Sequence, residues 1–558
     1  MSDYYKINNT MKNFFSLLCM FCMLSIGTSK AQVANYEVVP LPKSINQVSA
    51  AGFVLTESAA VVFPEGNVDM ERNARFLSDY VNEMTQMRLG TQSMPAKAKA
   101  AKVGEGNILL TLDDKIQNDE GYTISVTAKG VVISGKTPAA VFLGIQTLRK
   151  SLPVMQEKAQ GVTLPAVNIV DEPRFAYRGM MLDCGRHFFS LDFVKEYIDL
   201  IALHGMNRFH WHLTEDQGWR VEIKKYPRLT EVGAWRSSTT IGRNSGVEDG
   251  VRHGGFYTQE ECREIVKYAA DRYITVIPEI DMPGHMMSAL ASYPELGCTG
   301  GPYEVAHTWG IFPDVLCPGK EVTFQFVEDV LAELVTIFPS EYIHIGGDES
   351  PRTRWADCPL CQQRIKSEGL VAKEGQKNED LLQGYFTRRI EKFLHEKGKK
   401  LIGWDELLNC GVDQTSTIMS WRGAEPGAQA AKLGHDVIMT PYTYMYLDYY
   451  QTEDTRHEPL SIGGNLPVET VYSFEPIAGE LTNNEAKHIL GVQANLWTEY
   501  IAYPHHAEYM VLPRMAALAE VQWLQPDKKN YDAFINRLKR LKEIYDLHHW
   551  TVAQHVFR

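Results

Sequence analysis

Residues 177–213 read YRGMMLD CGRHFFS LDFVKEYIDLIALHGMN RFHWHL. An apolar run, a polar loop, an amphipathic segment and a second apolar run follow one another. Ser190 is placed to cap a helix, and Phe193, Val194, Tyr197, Ile198 and Ile201 recur at the three-to-four spacing that makes one apolar face. Gly205 closes it. The flanking runs carry Met180, Met181 and Leu182 in the first and Phe209, Trp211 and Leu213 in the second, the apolar content of buried parallel strands.

The same grammar repeats down the chain. Strands are predicted at Tyr177–Asp183, Arg208–Leu213, Thr275–Ile280, Tyr342–Ile345, Lys400–Gly403, Thr417–Ser420, Asp436–Thr440 and Ile489–Ala494. Eight βα units predict a (β/α)8 TIM barrel with insertions over residues 172–558, closing with C-terminal helices. An open doubly wound sheet would show a glycine-rich nucleotide turn after its first strand, and this sequence has none there.

Upstream, residues 32–171 alternate in short stretches such as Asn107–Thr111, Tyr122–Val126 and Val131–Ser134, with helical segments near Met70–Met84 and Ala139–Leu148. This predicts a small α+β supporting domain. Residues 1–31 read as an export signal: Lys12, the apolar run Phe14–Ile26, then Ser29 and Ala31 before Gln32, with Met1 and Met11 both open as the start. The run is shorter than the ~20 residues that span a bilayer. A periplasmic or secreted protein with no integral membrane segment after signal removal is therefore expected.

The 558 residues carry 44% hydrophobic and 22% charged side chains, enough apolar material for large cores and too much for a disordered chain. Net charge is −13, and −15 without the first 31 residues, which argues against nucleic acid and anionic membrane as partners. Oligomeric state is not readable. Seven cysteines lie beyond the signal. Cys298 and Cys317 bracket a loop and are expected to pair in an oxidising compartment. Cys358-Pro-Leu-Cys361 reads as a local disulfide or half of a zinc site, but no second C-x-x-C or H-x-x-x-H follows, so no metal is expected.

A TIM barrel places its active site at the C-terminal ends of its strands. Those ends carry Asp183, Arg186, His210, His212, Glu215, Asp216, Glu279, His285, Asp348, Glu349, Trp404, Glu406, Trp421, Tyr446, Asp448, Trp497 and Glu499. Carboxylates with tryptophans make a sugar site: aromatic faces cover the apolar face of a pyranose, while carboxylates bind hydroxyls or move protons. A barrel metallohydrolase is the rival, prompted by His210-Trp-His212 and His285.

The segment Tyr342-Ile-His-Ile-Gly-Gly-Asp348-Glu349 resembles the catalytic motif of the β-N-acetylhexosaminidases of glycoside hydrolase family 20. Further matches lie in order around the barrel: Arg178 to Phe188, Phe209 to Arg220, Pro278 to His285, Gly403 to Glu406, Tyr446 to Asp448 and Asn495 to Glu499. The resemblance implies an exo-acting glycosidase that takes an oligosaccharide or glycan substrate and uses no cofactor. It implies Glu349 as general acid/base and Asp348 as the residue orienting the substrate acetamido group. Arg186, Asp448 and Glu499 would bind sugar hydroxyls; Trp404, Trp421 and Trp497 would wall an acetamide pocket, and Tyr446 would donate to the acetamide carbonyl. His285 would link Glu349 to an acidic residue of the second strand's motif. The family often has two aspartates there, whereas this chain has Glu215-Asp216, so Glu215 is expected as the partner with Asp216 as the alternate.

Most glycosidases use two separated carboxylates. Asp348 and Glu349 are adjacent, and neighbours at a strand end point in different directions. A nucleophile supplied by the substrate's own acetamide removes the conflict, a route documented for this family.

Overall fold

A computed structural model describes residues 32–95 and 105–558; the export signal expected over residues 1–31 lies outside them. The N-terminal unit is a seven-stranded sheet of β1 (Ser44–Gln47), β2 (Ala60–Pro64), β3 (Gly90–Met94), β4 (Ile108–Leu112), β5 (Tyr122–Thr127), β6 (Gly130–Gly135) and β7 (Val167–Asp171). Its order is β1-β7-β5-β6-β4-β2-β3. Helices α1 (Val68–Thr85) and α2 (Pro138–Ser151) pack on it. Asn67 and Thr137 cap them by accepting from Met70 and Ala140 N–H groups.

The second unit is a closed parallel barrel: β8 (Tyr177–Asp183), β9 (Arg208–His212), β10 (Thr275–Glu279), β11 (Tyr342–His344), β12 (Lys400–Trp404), β13 (Thr417–Ser420), β14 (Val437–Met439) and β15 (Ile489–Ala494), with β15 pairing back to β8. The eight expected strands are these eight. Between β8 and β9 runs α3 (Leu191–Leu203), with Ser190 Oγ accepting from Phe193 N–H at 3.3 Å. Register aligns Asp183 with His212, His212 with Glu279 and Glu279 with His344, so four strands deliver polar side chains to one level at the barrel mouth.

Beneath that level the interior is solid. Tyr177, Tyr342, Met181, Ile277, Ile402, Met419 and Ile438 form a buried apolar column that continues up to Trp404, Tyr446 and Trp497. The N-terminal unit docks at the opposite end, where the strands begin. Arg178, at the start of β8, makes two 2.7 Å contacts to Glu120, and Trp523 Nε1 donates to Asp171 at 3.0 Å. The supporting domain therefore stands away from the mouth.

The expected pairing of Cys298 with Cys317 is corrected. All seven cysteines of the described residues are free thiols, and the fold brings the Cys358-x-x-Cys361 turn against both loop cysteines. Spacing within one loop gives no sign of a motif that arrives from the next βα unit. Among the described residues no helix is long and apolar enough to cross a membrane.

Candidate active site

The catalytic-motif turn is built by its glycines. After β11 the chain passes through Gly346 (φ 68°) and Gly347 (φ 100°). A Cβ on Gly346 would fall 1.7 Å from Asp281 Oδ1, so this close approach excludes any side chain there. Gly347 N–H donates to Asp281 at 3.2 Å, and Gln383 Nε2 donates to the Gly347 carbonyl at 2.6 Å. Glu349 follows with φ 45° and His285 faces it with φ 52°, both in the left-handed region that costs a non-glycine residue of order 1–3 kcal/mol. The strain lies where two loops must present side chains to one another.

The turn separates the two adjacent carboxylates. Asp348 has a side chain only 11% exposed, against 35% for Glu349. His285 Nε2 lies 3.9 Å from Asp348 Oδ2 and 3.6 Å from Glu349 Oε2. On its far side, His285 Nδ1 lies 3.0 Å from Asp216 Oδ2 and 3.1 Å from Glu215 Oε2. Burial alone would lower the imidazole pKa. The charge of Glu215, together with the ring's contacts to Asp216, Glu215 and Glu349, instead holds it well above its ordinary value. Burial raises Asp348 to about 6; the charges of Glu349, Glu279 and Glu215 push the same way, against His285.

The two acidic neighbours divide their work. Asp216 hydrogen-bonds His285 and accepts from Met287 N–H at 3.0 Å. Glu215, one methylene longer, reaches Arg186 Nη2 at 2.9 Å and His212 Nε2 at 3.0 Å, touching His285 only with its second oxygen. The expected partner and its alternate therefore both face the imidazole, Asp216 with the hydrogen bond at 3.0 Å and Glu215 with its second oxygen at 3.1 Å.

A cavity of about 390 Å³ opens at this level, lined by Arg186, Asp348, Glu349, Trp421, Tyr446, Asp448, Trp497 and Glu499 among others. Trp421 and Tyr446 lie nearly parallel, 6.1 Å between centroids, and Tyr446 is 6.2 Å from Trp497. Trp404 is different: it is buried, 5.8 Å from Trp497, and its Nε1 donates to Glu279 Oε1 at 3.0 Å. It forms the floor under the aromatic box rather than a wall. Arg186 is clamped by Glu215 and by Asp183 at 3.3 Å, with its guanidinium 4.9 Å from the Trp497 ring centre. Asp348 Oδ1, Asp448 Oδ1 and Arg186 Nε are buried polar atoms on cavity residues with no hydrogen-bond partner among the described residues. Two acceptors and a donor are set for a polar ligand.

His210, His212 and His344 do not line the cavity; they surround Glu279 below it. His210 Nε2 and His344 Nδ1 stand 2.8 and 2.9 Å from its carboxylate, and His212 hydrogen-bonds it directly. Burial opposes the Glu279 charge, but the three imidazoles hold its pKa well below the ordinary carboxylate range.

Sequence reasoning missed the outer rim. Asn244, Trp309, Gly310, Ile311, Tyr449, Ile462 and Tyr500 also line the cavity, mostly from loops that carry no period. Trp309 is braced by Asn244 in both directions, at 2.7 and 2.9 Å.

The sequence matches the model for glycosyl hydrolase family 20, catalytic domain, over residues 175–526, and that for domain 2 of the same family over residues 35–172. A beta-hexosaminidase of Porphyromonas gingivalis is 41% identical over 546 residues, spanning 95% of this chain and 67% of the relative. The GH20 beta-N-acetylhexosaminidase from Streptomyces coelicolor A3(2) is similar in structure with a TM-score of 0.79 at 31% identity, covering 93% of this chain and 97% of that one. The GH20 exo beta-N-acetylglucosaminidase from Vibrio harveyi, solved with N-acetylglucosamine, gives 0.79 and 31% over 94% of this chain and 79% of that one. The chain belongs to glycoside hydrolase family 20. Its activity is that of a β-N-acetylhexosaminidase, the hydrolysis of terminal N-acetylhexosamine.

Proposed function

We propose that the enzyme acts on nonreducing chain ends, releasing β-linked GlcNAc or GalNAc from oligosaccharides and glycoconjugates with retention of configuration, and that the nucleophile is the substrate's 2-acetamido oxygen. The supporting observation is the unpartnered Asp348 Oδ1 beside the box of Trp421, Tyr446 and Trp497. An acetamide fits it: the methyl group meets aromatic faces and the N–H meets a carboxylate oxygen. With the acetamide so held, its carbonyl oxygen attacks the anomeric carbon and the glycosidic bond breaks, giving an oxazolinium ion. Asp348 balances the positive charge, and Glu349 at the more open mouth gives its proton to the departing oxygen. Glu349 then takes a proton from the water that opens the ring, and two inversions give net retention. Alignment of this kind is worth up to about 7–11 kcal/mol relative to a free bimolecular step. Arg186, Asp448 and Glu499 hold the hydroxyls of the terminal sugar.

A thiazoline mimic of the cyclised intermediate is expected to inhibit strongly, and the aryl β-glucoside lacking the N-acetyl group to be hydrolysed very poorly. A 2-fluoro sugar should leave no covalent label; a stable glycosyl adduct on Asp348 or any other carboxylate overturns the mechanism.

The export reading of residues 1–31 supports a periplasmic or secreted enzyme. Amino-terminal sequencing of the mature protein tests it, with Gln32 as the expected first residue.

A further inference from the structure

Outside the catalytic centre, one cluster of side chains has chemistry that the hydrolysis does not use. Cys298, Cys317, Cys358 and Cys361 converge from two loops and the start of α4 (Pro359–Ser367), with their four sulfurs all within 4.8 Å of one another. Cys317 Sγ lies 3.5 Å from Cys361 and 3.8 Å from Cys358, and Cys298 Sγ lies 3.8 Å from Cys361. Three of the four are buried.

We propose that these four cysteines bind a structural zinc ion that ties the rim of the active site to the segment following the catalytic pair. Four sulfurs bound at ~2.3 Å to one tetrahedral ion stand ~3.8 Å apart, close to the spacings found. Cys317 has near-equal distances to two neighbours, a centre-sharing arrangement rather than the exclusive pairing of a disulfide. Cys358-Pro-Leu-Cys361 is the C-x-x-C element of such sites. The backbone at Gly319 presses so closely on this turn that a Cβ there would fall 2.4 Å from Leu360 C and 2.5 Å from Cys361 N. Zinc displaces the four thiol protons to solvent and fills its coordination shell with sulfur, so no position is left for water or substrate.

The connections give the site its role. The loop between Cys298 and Cys317 carries Trp309, Gly310 and Ile311 to the cavity. The stretch from Glu349 to Cys358 is already joined to that loop by Arg354, with Asp314 at 2.7 and 3.0 Å, and by Trp355 Nε1 donating to the Leu316 carbonyl at 2.9 Å. Zinc would lock the same two segments from the far side.

Elemental analysis of purified wild-type protein, dialysed against metal-free buffer, is expected to find about one zinc per chain. Cobalt(II) added to chelator-stripped protein should give thiolate-to-metal charge transfer and the strong visible bands of a tetrahedral sulfur site. Cys361→Ser should lower zinc content about tenfold, whereas Cys262→Ser and Cys410→Ser should leave it unchanged. If Cys361→Ser does not fold, the wild-type metal content and cobalt spectrum decide. Recovery of the four cysteines as two disulfides in a metal-free protein, iron in place of zinc, or zinc content unmoved by Cys361→Ser overturns the proposal.

Discussion

The two sides of the substrate cavity are made differently. The inner side, holding Asp348, Trp497, Tyr446 and Arg186, stands on or next to strand ends and is fixed by a dense set of buried ion pairs. The outer side, holding Asn244, Trp309, Ile311 and Ile462, comes from long loops held by a few hydrogen bonds and one cluster of thiols. Chemistry needs positions held to fractions of an ångström, which strand ends provide. Recognition of whatever lies beyond the first sugar can be varied by loops without disturbing that frame.

Substitutions on the two sides should therefore differ in size and kind. Glu349→Gln removes the proposed proton donor, and the loss on a natural disaccharide should be about 10²–10⁴-fold in kcat. Aryl glycosides with good leaving groups should suffer much less; equal loss on both would remove Glu349 from the role of acid. On the proposed mechanism Asp348→Asn should cost about 10²–10³-fold, because an amide would not balance the charge of an oxazolinium ion. It carries a pH signature too. Wild-type Asp348 is held near 6, so below that pH it gains a proton and loses the charge that accepts the acetamide N–H. The acid limb of kcat/KM should fall about tenfold per pH unit there and vanish in Asp348→Asn. A limb that persists in the variant would assign it to another group.

One step further back, Asp216→Asn should lower kcat about tenfold by loosening His285 while leaving KM nearly unchanged. Glu215→Gln should instead raise KM, since it frees Arg186. The opposite pattern would make Glu215 the carboxylate that holds His285 in place. The smallest effect belongs to the outer side. Trp309→Ala should raise KM for chito-oligosaccharides about 3- to 10-fold, the ~0.5–1.5 kcal/mol of an aromatic contact, and leave small aryl glycosides unaffected.

The same division governs what the sequence reveals. Buried parallel strands read as apolar runs, and the residue after each run is at the mouth by construction, so all eight strands and the inner residues are legible. Trp404 shows the limit: a tryptophan at a strand end reads as a wall, but only the fold shows its indole turned down to Glu279. Glu215 and Asp216 are neighbours in the chain, and only their rotamers show that both meet His285. Trp309 and Asn244 sit in loops without period or motif. The cysteine cluster is assembled from two βα units, with two of its members standing singly in the chain.

The solid column beneath the cavity has a kinetic meaning. With Tyr177, Met181, Ile277 and Met419 filling the barrel below Trp404, the cavity is a blind alley. A released monosaccharide can depart only through the opening by which the chain entered, and the shortened chain must first move aside. On the proposed exo action each turnover should end in full dissociation, and a chito-oligosaccharide should be shortened as a ladder, every length accumulating before the next declines, with free sugar competing against fresh chain ends for the same opening.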